Sequence, residues 1–482
     1  MIAGLPRLFR LFYPYAWFED SAYLYHAFAF KSGLKPFIDT ICVHPPTIEY
    51  LLAGLYNLFG ISYRVAEVLS AVIISLSTIF LFDIARRIFD KHIGLFVAAT
   101  FSFSSLLFRY HIFEREVFTI AITIFILWFI TNKKLNTFYA LIIGILAGFA
   151  FGIKFSGLFI IPAIIGYLLF EREYRVIFFA MIGFIITSAV IYSYFLLTYK
   201  ESAYYQLFLF HFFKGYDVSI GVRFLDTFVR DLNYLWILGC SGILLSLFIP
   251  NRILIFPIII FVEYTMFFIF ISSTCWPHNM IDVLLPLSLG NGVGLFYLNK
   301  FFIVPRKNLI PVILIVLSIF IFIFIGALRP VYYQGLGYIS RNEVTKVAKF
   351  IRENTPERIP IHAPHYLANE AQRPKIIDYE ELIGPYRLMV STIKNRTKNS
   401  EKTLHSNGWY ELIEKTLPLW RNELNNAITE KKISCAVWDK VFPEWSLMYN
   451  IDRYLENKFN LFSNAGFKIM YNNNYYTVWL VK

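Results

Sequence analysis

Apolar residues fill the first two thirds of the chain in runs separated by short polar turns. Ten runs, near 65–86, 93–109, 117–131, 136–153, 156–170, 175–198, 232–249, 252–272, 280–299 and 308–328, are long enough, or nearly so, to cross a bilayer as helix. That estimate takes about 30 Å of hydrocarbon and about 1.5 Å of rise per residue. The turns between runs alternate in charge. Arg86, Arg87 and Lys91 follow the first run, Lys133 and Lys134 the third, Arg172 and Arg175 the fifth, Arg252 the seventh, and Lys300, Arg306 and Lys307 the ninth. The positive-inside bias puts these turns on the cytoplasmic side. The outer side then receives 19–64, 110–116, the turn near Lys154, 199–231, 273–279 and the tail from about 329.

The pattern changes near Tyr338, where charges become frequent and prolines punctuate the chain. Residues 341–354 have the period of an amphipathic helix, and 359–363, 433–438 and 475–481 read as strands. The chain therefore divides into a multi-pass helical membrane domain, 1–330, and an extracytoplasmic α/β domain, 331–482. Residues 391–405 read as a polar loop containing an Asn395-Arg396-Thr397 glycosylation pattern.

Composition sharpens this picture. Of 482 residues, 57% are hydrophobic and 19% aromatic, which excludes an ordinary soluble domain. The net charge of +12 sits largely in turns between apolar runs, so it reads as membrane topology and not as nucleic-acid binding. The first 18 residues carry Arg7, Arg10 and two prolines without a small-residue cleavage site, so no removable signal peptide is expected. Cys42, Cys240, Cys275 and Cys435 lack metal-type spacing; three fall on the outer side, where one disulfide or free thiols are both open. No internal repeat, phosphate-cradling glycine loop, metal cluster or nucleophile elbow is evident.

Candidate chemistry gathers on the outer side. Glu19 and Asp20 precede the segment SAYLYHAFAFKSGLKPFIDT, which continues to His44-Pro45-Pro46. A carboxylate beside a low-dielectric layer can act as a general base, while Asp20 could equally cap a helix starting at Ser21. The turn RYHIFERE brings Arg109, Glu114 and Glu116 together, as a second acidic site or as a solvated ion-pair loop. Lys154 either snorkels or faces an anion. His278 could join it, and Glu263 lies mid-span, as a functional group or a protonated packing residue. The aromatic and basic stretch 199–231, with Arg223, suits an in-plane helix that meets lipid and phosphate, or a simple interfacial anchor.

These pieces resemble the C-type (GT-C) glycosyltransferases that use a polyprenyl-phosphate-linked sugar, the protein mannosyltransferase-like and aminoarabinose transferase-like membrane enzymes. The matching residues are Asp20 with Glu19; Gly33 to Asp39; His44, Pro45 and Pro46; Glu116, with Glu114 as an alternative alignment; Gly152-Ile153-Lys154 with Ser156-Gly157-Leu158; and His278 before Leu285-Pro286. The family places a transmembrane helix before its first catalytic loop, and here 19 residues precede Asp20. The resemblance implies a GT-C-like fold of about ten helices and an inverting transfer of a sugar to an acceptor hydroxyl on the outer face of the plasma membrane. It assigns Asp20, Glu19 and Glu116 to catalysis and Lys154, His278, Arg109 and Arg223 to the donor phosphate. Asp39, His44 and Pro45 shape the loop. No cofactor or metal is implied, although paired outer acids could hold a divalent ion. The partners are membrane lipid, the lipid-linked donor and a glycan, lipid or protein acceptor, with no nucleic acid.

Two other readings remain at this point. A transporter or flippase of lipid-linked sugars would show paired repeats and broken helices. A membrane-anchored recognition protein would tolerate loss of the acids in 18–116.

Overall fold

A computed structural model describes residues 15–17, 21–40, 42–104, 113–132, 135–209, 211, 235–249, 251–270, 277–301, 338–375, 426–439, 462–474 and 476–481. In chain order the elements are β1 (Tyr15–Trp17), α1 (Ser21–Lys31), α2 (Thr47–Phe59), α3 (Tyr63–Ile88), α4 (Lys91–Ser102), α5 (Arg115–Asn132), α6 (Thr137–Ile153), α7 (Ile160–Phe170), α8 (Tyr174–Tyr204), α9 (Leu235–Ser246), α10 (Ile255–Phe270), α11 (Leu284–Phe301), β2 (Tyr338–Ser340), α12 (Arg341–Asn354), β3 (Ile361–His362), α13 (His365–Ala371), β4 (Cys435–Asp439), β5 (Phe467–Asn472) and β6 (Tyr476–Val481). Each apolar run from 65–86 to 280–299 carries helix, and 308–328 lies outside the described residues. Among the described residues four helices are long and apolar enough to span a membrane: Tyr63–Ile88, Tyr174–Leu209, Arg252–Ile269 and Asn279–Lys300. Shorter apolar helices occupy Thr137–Ile153, Phe155–Phe170 and Ile237–Ser246.

The chain forms two compact units. The first comprises 1–12, 67–200 and 216–327. Its helices begin at local caps: Asp90 accepts hydrogen bonds from the backbone of His92 and Ile93, and Asn136 from that of Tyr139. Its tightest packing rests on glycine. A Cβ on Gly242 of α9 would stand 1.7 Å from the carbonyl oxygen of Gly290 on α11, and one on Gly144 of α6 would stand 1.9 Å from that of Ala180 on α8. Lipid gives helices no hydrophobic reason to associate, so such close backbone approach supplies the attraction through van der Waals contact.

The second unit comprises 13–66, 201–215 and 328–482. Its four-stranded sheet has the order β3-β4-β6-β5, with β3 parallel to β4 and the other pairs antiparallel. Phe462 stacks on Trp479 in a core shared with Ile428, Ile433, Ala436 and Phe467. Among the described residues Cys240 and Cys435 are free thiols, and burial pushes the Cys435 thiol up. Helix α12 buries Val344, Val347, Ala348 and Ile351, the stripe its sequence period demands.

Within 19–64, where the sequence suggested a loop, α1 and α2 are helices joined by a described turn region. α2 buries Ile48, Leu52 and Tyr56, one residue per turn, behind the Pro45-Pro46 start that is favourable to a helix N-terminus. Between α1 and α2, Gly33 takes φ +88°, a conformation open to glycine without strain. Asp39 closes the following turn, accepting a hydrogen bond from the Lys35 backbone at 2.7 Å. Gln206 then bridges the loop, accepting from the Cys42 backbone and donating to the Phe37 carbonyl, both at 2.9 Å. His44 is half-buried with its ring 4.9 Å from that of His211, whose Nε2 donates to the Val43 carbonyl at 2.6 Å. Pro45 is buried, and its carbonyl accepts from the Thr47 backbone.

Both flanks of residues 18–20 contact late sequence. β1 pairs antiparallel with β2, Tyr15 opposite Ser340. α1 packs on α13, where the Tyr25 ring lies 5.4 Å from that of His365 and the Tyr25 hydroxyl accepts from the Lys375 backbone at 2.9 Å. Glu370 accepts from the Tyr63 backbone at 2.7 Å.

Replacing Gly242 by valine should destabilise the helical unit by about 1–3 kcal/mol through overpacking. Thermal unfolding of the detergent-solubilised protein measures this; Gly54→Ala, where an added Cβ meets nothing within 4 Å, should cost much less.

Candidate functional site

A buried polar network lies in the first unit, where helix ends supply it with side chains. Glu116 stands in the first turn of α5, where unpaired backbone N–H groups favour a carboxylate. Lys154 follows α6 in extended conformation, φ −153° and ψ 144°. A 3₁₀ turn, Phe155–Phe159, comes next, and within it Gly157 lies so close to Ala150 that a Cβ would stand 2.4 Å from its carbonyl carbon. This break presents Lys154 and Ser156 in succession. A second 3₁₀ turn, Pro277–Val283, carries Asn279 and Asp282, whose i,i+3 spacing puts them on one side.

The Lys154 ammonium forms an ion pair with the Glu116 carboxylate. The same carboxylate oxygen accepts from Asn279 Nδ2 at 2.6 Å. Asp282, 5% exposed, accepts from Thr119 Oγ1 at 2.6 Å, Tyr264 OH at 2.5 Å and Ser156 Oγ at 3.3 Å. Thr119 also donates to the Glu116 carbonyl at 3.1 Å. Two carboxylates thereby share one network drawn from α5, the two 3₁₀ turns, α10 and Lys154. The Glu116 side chain is 2% exposed and that of Lys154 15%, so the lysine is the more accessible charge of the pair.

The structure brings Glu116 and Lys154 together, and it selects Glu116 over Glu114 as the partner of the lysine. Glu114 and Arg115 are buried beside it. His278 falls on the 3₁₀ turn next to Asn279. Glu19, Asp20, Arg109 and Arg223 lie outside the described residues. Glu263 is on α10, adjacent in sequence to Tyr264 of the network. Asn279, Asp282, Tyr264 and Thr119 escaped the sequence reading, and Ser156 entered it only as part of the turn after Lys154. Asp282 had a usable signal, an acid opening a long apolar run. Among the described residues no group of three or more His, Cys, Asp or Glu side chains could hold a metal ion.

Residues 43–199 match the family model of dolichyl-phosphate-mannose-protein mannosyltransferases. That segment includes both Glu116 and Lys154. Similar solved structures include ArnT from Cupriavidus metallidurans bound to undecaprenyl phosphate, at TM-score 0.70 and 12% identity, covering 99% of this chain and 96% of that one. The oligosaccharyltransferase of Archaeoglobus fulgidus, in complex with Zn and sulfate, matches at TM-score 0.56 and 14% identity over 91% of this chain and 67% of that one. The fold is that of the C-type membrane glycosyltransferases. The archaeal oligosaccharyltransferase AglB from A. fulgidus, with an inhibitory peptide and a dolichol-phosphate, matches similarly, at TM-score 0.55 and 13% identity over 91% and 68% of the two chains. No curated protein matches the chain in sequence. The resemblance to C-type glycosyltransferases drawn from the loop motifs therefore holds at the level of family pattern and fold.

Replacing Lys154 by methionine leaves Glu116 buried without its cation and should cost about 3–5 kcal/mol. Adding Glu116→Gln should recover most of that stability. A double-mutant cycle by thermal unfolding in detergent measures the coupling.

Proposed function

We propose that the protein transfers a sugar from a polyprenyl-phosphate donor to an acceptor hydroxyl at the outer membrane face, inverting the anomeric configuration. The observation that carries this reading is the Glu116–Lys154 pair, buried among apolar helices and lying inside the segment that matches the mannosyltransferase model. Ionised groups are rare within membrane helices and mark function when present. The lipid phosphates named with the similar structures, undecaprenyl phosphate and dolichol-phosphate, support a donor of that class.

In the proposed reaction, Asp20, with Glu19 beside it, takes the proton of the acceptor hydroxyl. The acceptor oxygen attacks the anomeric carbon, and the carbon–oxygen bond to phosphate breaks. The electron pair leaves with polyprenyl phosphate, which departs as a dianion. Cations stabilise that developing charge. Lys154 is the leading one, with His278, Arg109 and Arg223 as further phosphate ligands. Glu116 and Asn279 orient the lysine, and Asp282 orients the hydroxyls around it. Asp39, His44 and Pro45 shape the loop that follows Asp20. The acceptor is a glycan, lipid or protein, and residues 331–482 form the extracytoplasmic part that selects it. The chain resides in the plasma membrane.

Asp20→Asn in membranes supplied with polyprenyl-phosphate sugar should lower transfer about 10²–10⁴-fold while expression stays normal. Radiolabelled sugar transfer with product mass analysis checks this, and unchanged transfer removes Asp20 from the chemistry. Donor flipping by the wild-type protein without any sugar transfer would favour a flippase.

A further inference from the structure

The ends of α3, α7 and α11 and the segment between α9 and α10 line a cavity of about 730 Å³ in the first unit. Arg252, Lys300, Glu171 and Tyr167 line its polar side, and Phe248 and Phe296 its apolar side. None of these belongs to the network around Glu116, which sits at the opposite ends of the same run of helices.

The charges are unequal in how they are used. Arg252 Nη1 donates to the Phe170 carbonyl at 2.9 Å and stands 3.9 Å from Glu171, so its charge is largely committed. Asn251 is committed as well, its side chain accepting from the Ile253 backbone. Lys300, exposed in the last turn of α11, makes no ion pair among the described residues. Phe248 is 75% exposed and Phe296 37% exposed, two large apolar side chains bordering a basic cavity. A water-soluble anion would match only the polar side, and a bare phosphate would fill only a small part of the volume. A molecule with an anionic head and a hydrocarbon body satisfies both sides. The positive turns place this end at the anionic cytoplasmic leaflet, where basic pockets between helices take lipid headgroups.

We propose that this cavity seats the headgroup of an anionic phospholipid, with Lys300 meeting its phosphate and the acyl chains lying along Phe248 and Phe296. The inference rests on the membrane-spanning helices and is independent of the transfer reaction.

The test is native mass spectrometry of the full-length, delipidated protein titrated with phosphatidylglycerol or phosphatidylcholine. Phosphatidylglycerol should bind more tightly. Lys300→Gln should weaken it about fivefold, the worth of one basic side chain at an anionic surface, and leave phosphatidylcholine unchanged. Lys300→Arg should restore binding. Lys91→Gln, which removes a charge from the same face but outside the cavity, should have no effect. Should Lys300→Gln fail to fold, Glu171→Gln serves instead, and it should tighten phosphatidylglycerol binding. Wild-type affinity in Lys300→Gln, or in Glu171→Gln where that serves, overturns the proposal. So does equal weakening by Lys91→Gln, which would mean diffuse surface charge. Displacement of the lipid by inorganic phosphate alone would make the ligand a free anion and overturn it too.

Discussion

A carboxylate and an ammonium removed from water must meet each other or be neutralised, and the membrane unit is organised around one such meeting. Glu116 and Lys154 come from the start of one helix and the end of another, where backbone ends leave both geometry and hydrogen-bonding capacity free. Asn279 shares the carboxylate, and Thr119 ties the Glu116 backbone to Asp282, which accepts from three hydroxyls. Each member therefore depends on the others, and a site that carries charge inside an apolar bundle becomes a single constrained object.

That constraint explains the polarity of the unit along its own length. Helices must alternate in direction, so every second turn falls at the same end. One end collects Arg252, Lys300 and the turns after α3 and α7; the other collects the carboxylate network. That alternation sets the basic turns at Arg252 and Lys300 apart from the carboxylate network. It also leaves the first end electrically suited to a charged leaflet.

Much of this was legible from the chain. Glu116 and Lys154 stood out because charges bounding apolar runs need a reason. The helix at 341–354 and the strands near 361, 435 and 476 were visible because period and turn residues agree there. Asp282 was missed because its neighbours, Met280, Ile281, Val283 and Leu284, read as the start of a span, and Thr119 because a threonine within an apolar helix usually bonds to its own backbone. α2 was missed although Ile48, Leu52 and Tyr56 recur every four residues, since two prolines just before it read as loop. β5 lies at a sheet edge with its middle exposed, so it lacks the alternation that announces a strand.

The pairing of β1 with β2, and of α1 with α13, has a consequence for biogenesis. Residues 13–66 leave the ribosome well before their neighbours at 338–375, which emerge only after the apolar helices between them. β1 and α1 must wait for these partners through most of translation. A nascent chain halted before residue 338 would therefore carry apolar helices while β1 and α1 still lacked their strand and helix partners.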